Sequence, residues 1–300
     1  MKNIFIAILI LVIGIGSYMF MKKPSENVDT IVNNIEKSDN NTASTTKNTI
    51  LTDKTKTVIG KSTAGNDITA YHYGEGKDEL LLIGGIHGGY EWNTVLLTYE
   101  LMDYFKANPS SIPKNIKITI IPVMNPDGLN KVVGTTGRFL KTNVSTTESV
   151  ITSGRFNSNN VDLSRNFDCN WKAEGVWQNK TVSGGNKVFS EPESQAIKEY
   201  TETNRPTSVI VWYSAAGGVF ASSCNNGVST ETSAITKAFA AASLYPAYDS
   251  FDFYATTGDI VNWFAKNDIP AISVLLTNHN STDWTKNIAG VKALLTYYTK

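Results

Sequence analysis

The sequence lacks the features that would mark a nucleic-acid binder or a densely cross-linked small protein. Lys plus Arg and Asp plus Glu are balanced at 27 each, so there is no global field to hold a polyanion, and no basic block or nucleic-acid motif occurs along the chain. Nucleic acid is therefore not the expected partner, and a peptide or small molecule is. Cysteine is limited to Cys169 and Cys224, which leaves either two free thiols or one disulfide, with export favouring the bridge. Histidine is confined to His72, His87 and His279. No internal repeat is present that would build a solenoid.

One long apolar run does occur. Residues 4 to 21 carry no charge and as a helix would span about 27 Å, close to the hydrocarbon thickness of a bilayer. The run is a membrane segment or a signal peptide. No small-residue cleavage pattern follows Gly16 and Ser17, which favours an uncleaved anchor over residues 1 to 23. Lys22 and Lys23 on its far side compete with Lys2 under the positive-inside tendency, so the charges alone leave orientation open. Residues 24 to 56 are rich in Ser, Thr, Asn, Asp and Lys, with apolar residues too scattered to cover a core, and read as a disordered linker. Residues 57 to 300 remain for one large unit.

Within that unit, strands and helices alternate. Leu80 to Ile83 is a short apolar run ending in Gly84 and Gly85, a buried strand delivering a loop. Leu97, Leu101, Tyr104 and Phe105 recur at helical spacing behind Glu91, Trp92 and Asn93. Ile116 to Ile121 is mostly β-branched and closed by Pro122, which predicts a second strand. Ser190, Pro192 and Glu193 have the spacing of a capping box that opens a helix through about Glu202. Val209 to Tyr213 and Ala271 to Leu276 read as further strands, and Ile288, Val291, Leu295 and Tyr298 give a final helix its apolar face. The expected fold is α/β, with a mixed, largely parallel sheet and helices on both faces. Such sheets place ligands at the carboxyl ends of their strands.

The loops after those strands carry the chemistry. His87 sits in Gly84-Gly85-Ile86-His87-Gly88-Gly89, four residues before Glu91, and imidazole and carboxylate both suit zinc. Asn125-Pro126-Asp127-Gly128 is by itself a turn. Arg155 in Gly154-Arg155-Phe156-Asn157 and Arg165 in Val161-Asp162-Leu163-Ser164-Arg165-Asn166-Phe167 suit anions, because a guanidinium can hold a carboxylate through two parallel bonds. Tyr254, followed by Thr257-Gly258-Asp259 and Trp263, fits either a mobile aromatic flap or a packed loop.

In this order the motifs resemble the M14 zinc carboxypeptidases, from about Val58 to Leu295. The resemblance implies that His87 and Glu91 match two zinc ligands and that Arg155 matches the arginine stabilising the oxyanion. It implies that Arg165 clamps the terminal carboxylate of a peptide or peptidoglycan-derived substrate, with Ser164 beside it, and that Tyr254 closes over the ligand. It further implies one zinc ion, an extracytoplasmic location, and a specificity pocket around Val261 and Asp259, the latter suited to a basic group.

The chain departs from the family in two places that matter. Tyr213 stands where the third zinc ligand, a histidine, is expected, and a phenol with a reference pKa near 10 is a poor substitute. Leu275 stands where the catalytic glutamate is expected, and leucine cannot accept a proton. Loss of a positioned general base removes about 10²- to 10⁴-fold in rate. Ser164 replaces an asparagine, and His87 and Glu91 are one residue further apart than usual, though positions four apart still share a helical face. His279 and Asp283 either substitute for the missing groups or cap the final helix. The expectation is a carboxylate-recognising domain with impaired hydrolysis; the alternative is a working zinc carboxypeptidase using Tyr213 or His279.

Overall fold

The computed structural model describes residues 55 to 299. The anchor and most of the linker expected over residues 1 to 56 lie outside the described residues. Among the described residues, no helix is long and apolar enough to cross a membrane.

Among the described residues, ten strands and seven α-helices follow one another as β1 (Lys56–Lys61), β2 (Asp67–Tyr73), β3 (Asp78–Ile83), α1 (Trp92–Ala107), β4 (Ile116–Ile121), α2 (Pro126–Val133), α3 (Glu148–Ser153), β5 (Glu174–Trp177), β6 (Lys180–Ser183), α4 (Pro192–Asn204), β7 (Ser208–Ser214), β8 (Gly218–Ala221), α5 (Thr230–Ser243), β9 (Ala247–Tyr248), α6 (Ile260–Lys266), β10 (Ala271–Leu276) and α7 (Trp284–Tyr298). Eight strands form one sheet in the order β1-β2-β4-β3-β7-β10-β8-β9, and β5 and β6 pair separately. The central β4, β3, β7 and β10 are parallel, and β1, β2 and β8 join antiparallel. The sheet is thus mixed and largely parallel at its centre.

The apolar runs read from the sequence are continuous because both faces of these strands are covered. Leu80 and Leu82, Ile210 and Trp212, and Ile272 and Val274 pack with helices α1, α5 and α7. The alternate residues Leu81 and Ile83, Val209 and Val211, and Ala271 pack with α4 and α6, as the two-residue period of a strand requires. Tyr213 and Leu275 belong to this second face.

Two local expectations fail. Helix α4 begins without a side-chain cap from Ser190, and its N-cap residue is Glu191. The Ser190 hydroxyl instead donates to the neighbouring Glu191 and accepts from Asn166 Nδ2, and the Glu193 carboxylate accepts from the Thr63 backbone N–H, so both groups of the expected box serve tertiary contacts. Asp283 occupies the N-cap position of α7 without a side-chain capping bond. Its carboxylate accepts from the Thr277 N–H and the Tyr245 hydroxyl, which pins the loop after β10.

Candidate active site

The parallel strands deliver their following loops to one edge of the sheet. After β3, the chain turns through Gly84 to Gly89 and a short 3₁₀ turn, Gly88–Glu91. Gly88 has φ +45, and a Cβ there would lie 2.6 Å from the Gly154 carbonyl oxygen and 2.8 Å from the Gly128 backbone, so only glycine lets this loop pack so closely. The turn is 3₁₀ rather than α-helical, yet it still brings His87 and Glu91 together, with Nδ1 to Oε1 at 2.9 Å. After β4, Asn125 caps α2 by accepting from the Gly128 N–H. Asp127 receives Ser62, Ala64 and Asn66 and so anchors the β1–β2 turn.

Asp162 is the centre of the site, and its role was not recognised in the sequence. It is fully buried and accepts from Arg155 Nε at 3.0 Å, with Arg155 Nη2 at 2.9 Å. The His87 Nε2 lies 3.3 Å away and the Arg165 Nε 3.6 Å away. The Ser164 hydroxyl also donates to it, at 2.8 Å. Burial alone would raise the Asp162 pKa, but Arg155 first, then His87 and Arg165, hold it well below the usual carboxylate range. His87 is drawn the other way. Burial and Arg155 oppose its protonation, and the Glu91 and Asp162 carboxylates outweigh them, so its pKa is raised.

The two arginines differ in what they have left to offer. Arg155 directs Nε and Nη2 at Asp162 and Nη1 at His87 Nδ1, 3.2 Å away, and its guanidinium lies 4.5 Å from the Trp177 ring. Arg165 donates to the Val176 carbonyl at 2.6 Å and to the Thr257 hydroxyl at 3.4 Å, while its buried Nε faces Asp162 at 3.6 Å. A guanidinium carries five donors, so Arg165 keeps capacity for an anion. Both contacts from Trp177 and Val176 come from the β5–β6 hairpin, whose Gln178 also donates to the Tyr90 hydroxyl. This hairpin was not foreseen; Val176 and Trp177 just ahead of the turn-forming Gln178 and Asn179 were the available signal.

His87, Glu91, Arg155, Arg165 and Trp177 line a cavity of about 440 Å³ that also takes in Ser164, Tyr213, Tyr254, Asp259, Leu275 and His279. All eight site positions named from the sequence are therefore brought together. Tyr254 stands with its ring 5.8 Å from the Arg165 guanidinium. Asp259 caps α6 through the Asn262 N–H; burial pushes its carboxyl up to about 6 against those backbone bonds. The Thr257-Gly258-Asp259 loop is tied to the Phe167 to Cys169 segment by the Phe167 N–H to Gly258 and the Gly258 N–H to Cys169. Cys169 and Cys224 form a disulfide with their Cα atoms 6.0 Å apart, which closes the alternative of free thiols.

Tyr213 and Leu275 are paired directly across β7 and β10, so the two replaced positions lie side by side at the carboxyl ends of the strands. The Tyr213 hydroxyl is buried without a hydrogen-bond partner, and its ring lies 5.5 Å from His87. Burial, then the Asp259 and Glu91 carboxylates, raises its pKa well above 10.

The description "Zinc carboxypeptidase", peptidase M14, matches residues 45 to 300. This chain belongs to the M14 family. It is 27% identical over 214 residues to carboxypeptidase M of Mus musculus, covering 66% of this chain and 41% of that protein. It is 24% identical over 232 residues to gamma-D-glutamyl-L-diamino acid endopeptidase 1 of Lysinibacillus sphaericus, covering 70% of this chain and 57% of that one. The M14 member thus spans less than two thirds of the length of these relatives. Among solved structures, the murein-tripeptide amidase of Escherichia coli O157 superposes with a TM-score of 0.56 at 20% identity over 80% of this chain and 91% of its own. Bovine thrombin-activatable fibrinolysis inhibitor superposes with a TM-score of 0.63 at 18% identity over 81% and 88%. These structures share the fold.

The donor set of this M14 chain does not fit a catalytic zinc. Such sites use three protein ligands drawn from His, Cys, Asp and Glu, and here His87 and Glu91 have only the phenol of Tyr213 in third place. Among the described residues, no group of three or more His, Cys, Asp or Glu side chains is disposed to hold a metal.

Proposed function

We propose that this M14 domain recognises the free C-terminal carboxylate of peptides or peptidoglycan stem peptides and hydrolyses them poorly or not at all. The observation carrying the reading is the contrast within one cavity: Arg165 lines it with only the Thr257 hydroxyl and the Val176 carbonyl bonded to its terminal nitrogens, whereas the adjacent Tyr213 and Leu275 replace the groups that would supply metal binding and proton transfer. Arg165 holds the carboxylate, Ser164 orients Asp162, and Tyr254 covers the ligand. His87, Glu91 and Arg155 form the polar floor, with Asp162 buried behind them. Asp259 suits a basic group on the terminal residue.

The domain is proposed to act outside the cytosol, tethered through residues 4 to 21. The Cys169–Cys224 bridge supports an oxidising compartment. Peptidoglycan is supported by the murein-tripeptide amidase and the diamino acid endopeptidase among the similar proteins. The decisive experiment is zinc content of the full chain after dialysis, paired with hydrolysis of C-terminal dipeptide substrates. Absence of both supports the reading, and stoichiometric zinc with chelator-sensitive turnover overturns it.

A second reading rests on His279, which lines the same cavity with a buried, unpartnered Nδ1. Burial lowers its pKa, which leaves a neutral imidazole able to accept a proton in place of Leu275. Turnover abolished by His279→Ala is its test.

A further inference from the structure

Beside the cavity mouth, the segment from Tyr248 to Tyr254 exposes a cluster of aromatic rings of which the carboxylate site uses only Tyr254. Phe253 is 58% exposed, Tyr254 42% and Tyr248 38%. The Tyr248 ring is stacked on the buried Phe220, with centroids 4.7 Å apart and planes 11° apart. Gly218 makes this possible: a Cβ there would lie 2.7 Å from Tyr248 Cε2. Phe251 packs edge-on against Phe253 at 5.2 Å and Tyr254 at 4.8 Å, and Phe251, Phe253 and Tyr254 also line the cavity. The rings thus pack into a shelf continuous with the site.

Exposed aromatic surface of this kind marks an interaction site. The polar residues interleaved with it, Asp249, Ser250 and Asp252, are all exposed. Two carboxylates disfavour an anionic membrane, since they repel its headgroups. A second copy of the chain is disfavoured by size, because three side chains fall far short of the roughly 1,000 Å² that a specific protein interface needs. Ring faces are electron-rich and attract polarised C–H groups, while carboxylates and hydroxyls beside them accept and donate to alcohols and amides. A pyranose offers both, with C–H groups on its face and hydroxyls on its edge.

We infer that this shelf is a saccharide subsite, taking a pyranose joined to the peptide whose C-terminus lies at Arg165. The inference rests on the carboxylate-binding reading above and makes the ligand a glycopeptide of the cell-wall type. Three probes on the full chain test it by calorimetry: a stem peptide with a free carboxylate, the same peptide carrying its N-acetylated disaccharide, and a soluble N-acetylglucosamine tetramer. The expected result is about tenfold tighter binding of the disaccharide-peptide than of the bare peptide, about 1.4 kcal/mol. Tyr248→Ala abolishes that gain without changing bare-peptide affinity, and Tyr248→Phe, which keeps the stacked ring, restores it. Equal affinity of the two peptides in the unmodified protein overturns the subsite. So does a gain that survives both Tyr248→Ala and Phe253→Ala. Loss of bare-peptide affinity in Tyr248→Ala also overturns it, assigning the shelf to upstream peptide side chains. Binding of the tetramer with no binding of either peptide leaves the shelf standing and removes the carboxylate reading instead.

Discussion

Replacing Asp162 by asparagine tests the electrostatic core of the site. The substitution preserves shape and removes the one carboxylate shared by Arg155, Arg165 and His87. Arg155 is then buried with its nearest counter-ion gone, and breaking a buried pair by removing one partner costs about 3 to 5 kcal/mol. For a domain of this size, each kcal/mol moves Tm by about 2 to 4 °C, so Asp162→Asn lowers Tm by about 6 to 20 °C at pH 7. The sign with pH also follows. The folded pKa of Asp162 is depressed, so its contribution is fully present above the unfolded value of about 3.9 and is lost as pH falls through the much lower folded value. The difference between the two proteins therefore stays constant from pH 8 to 5 and narrows only in strong acid. Calorimetric melts across that range provide the assay. A Tm change under about 2 °C at pH 7, or a difference that closes between pH 7 and 5, refutes the assignment of Asp162 as the ionised hub.

Asp259 responds to pH in the opposite sense. Its folded pKa of about 6 lies above the unfolded value, so the native state holds the extra proton and stability falls as pH rises from about 4 to 6; Asp259→Asn, which keeps a capping side chain, removes that fall in melts at pH 4.5 and 7. Reducing the Cys169–Cys224 bridge, which closes a separation of 55 residues, costs about 4 kcal/mol on the loop-entropy estimate and lowers Tm by about 8 to 16 °C; an unchanged melt in reductant contradicts this. Tyr213→His supplies a third imidazole or carboxylate donor beside His87 and Glu91, and is expected to retain zinc through dialysis where the parent chain does not, as read by elemental analysis. Adding Leu275→Glu to it is expected to raise hydrolysis by about 10²-fold or more, and no gain in either variant counts against the account of the two replaced positions.

The central strands were legible because their β-branched runs are buried on both faces, so β4 and β10 match their expected limits at Ile116–Ile121 and Ala271–Leu276. The flanking elements were not. β8 has four residues and begins with glycine, and β5 and β6 carry exposed Glu174, Lys180 and Thr181, so no hydrophobic period distinguishes them from loops. The site positions were found through motif order rather than physics, and the same order exposed the replacements at Tyr213 and Leu275. Asp162 escaped notice because a carboxylate between two arginines reads as surface charge until its burial is known. The Ser190 capping box failed for a related reason: Ser190 and Glu193 form tertiary bonds that local spacing cannot reveal.

The central claim is that this cavity reads a peptide carboxylate without metal chemistry. Its most direct test is the affinity of the chelator-treated full chain for one peptide as the free acid and as the C-terminal amide. The account predicts binding of the acid that chelation leaves intact and that amidation or Arg165→Met weakens by about 30-fold or more. Equal affinity for acid and amide, or binding that chelation removes and zinc restores, contradicts it.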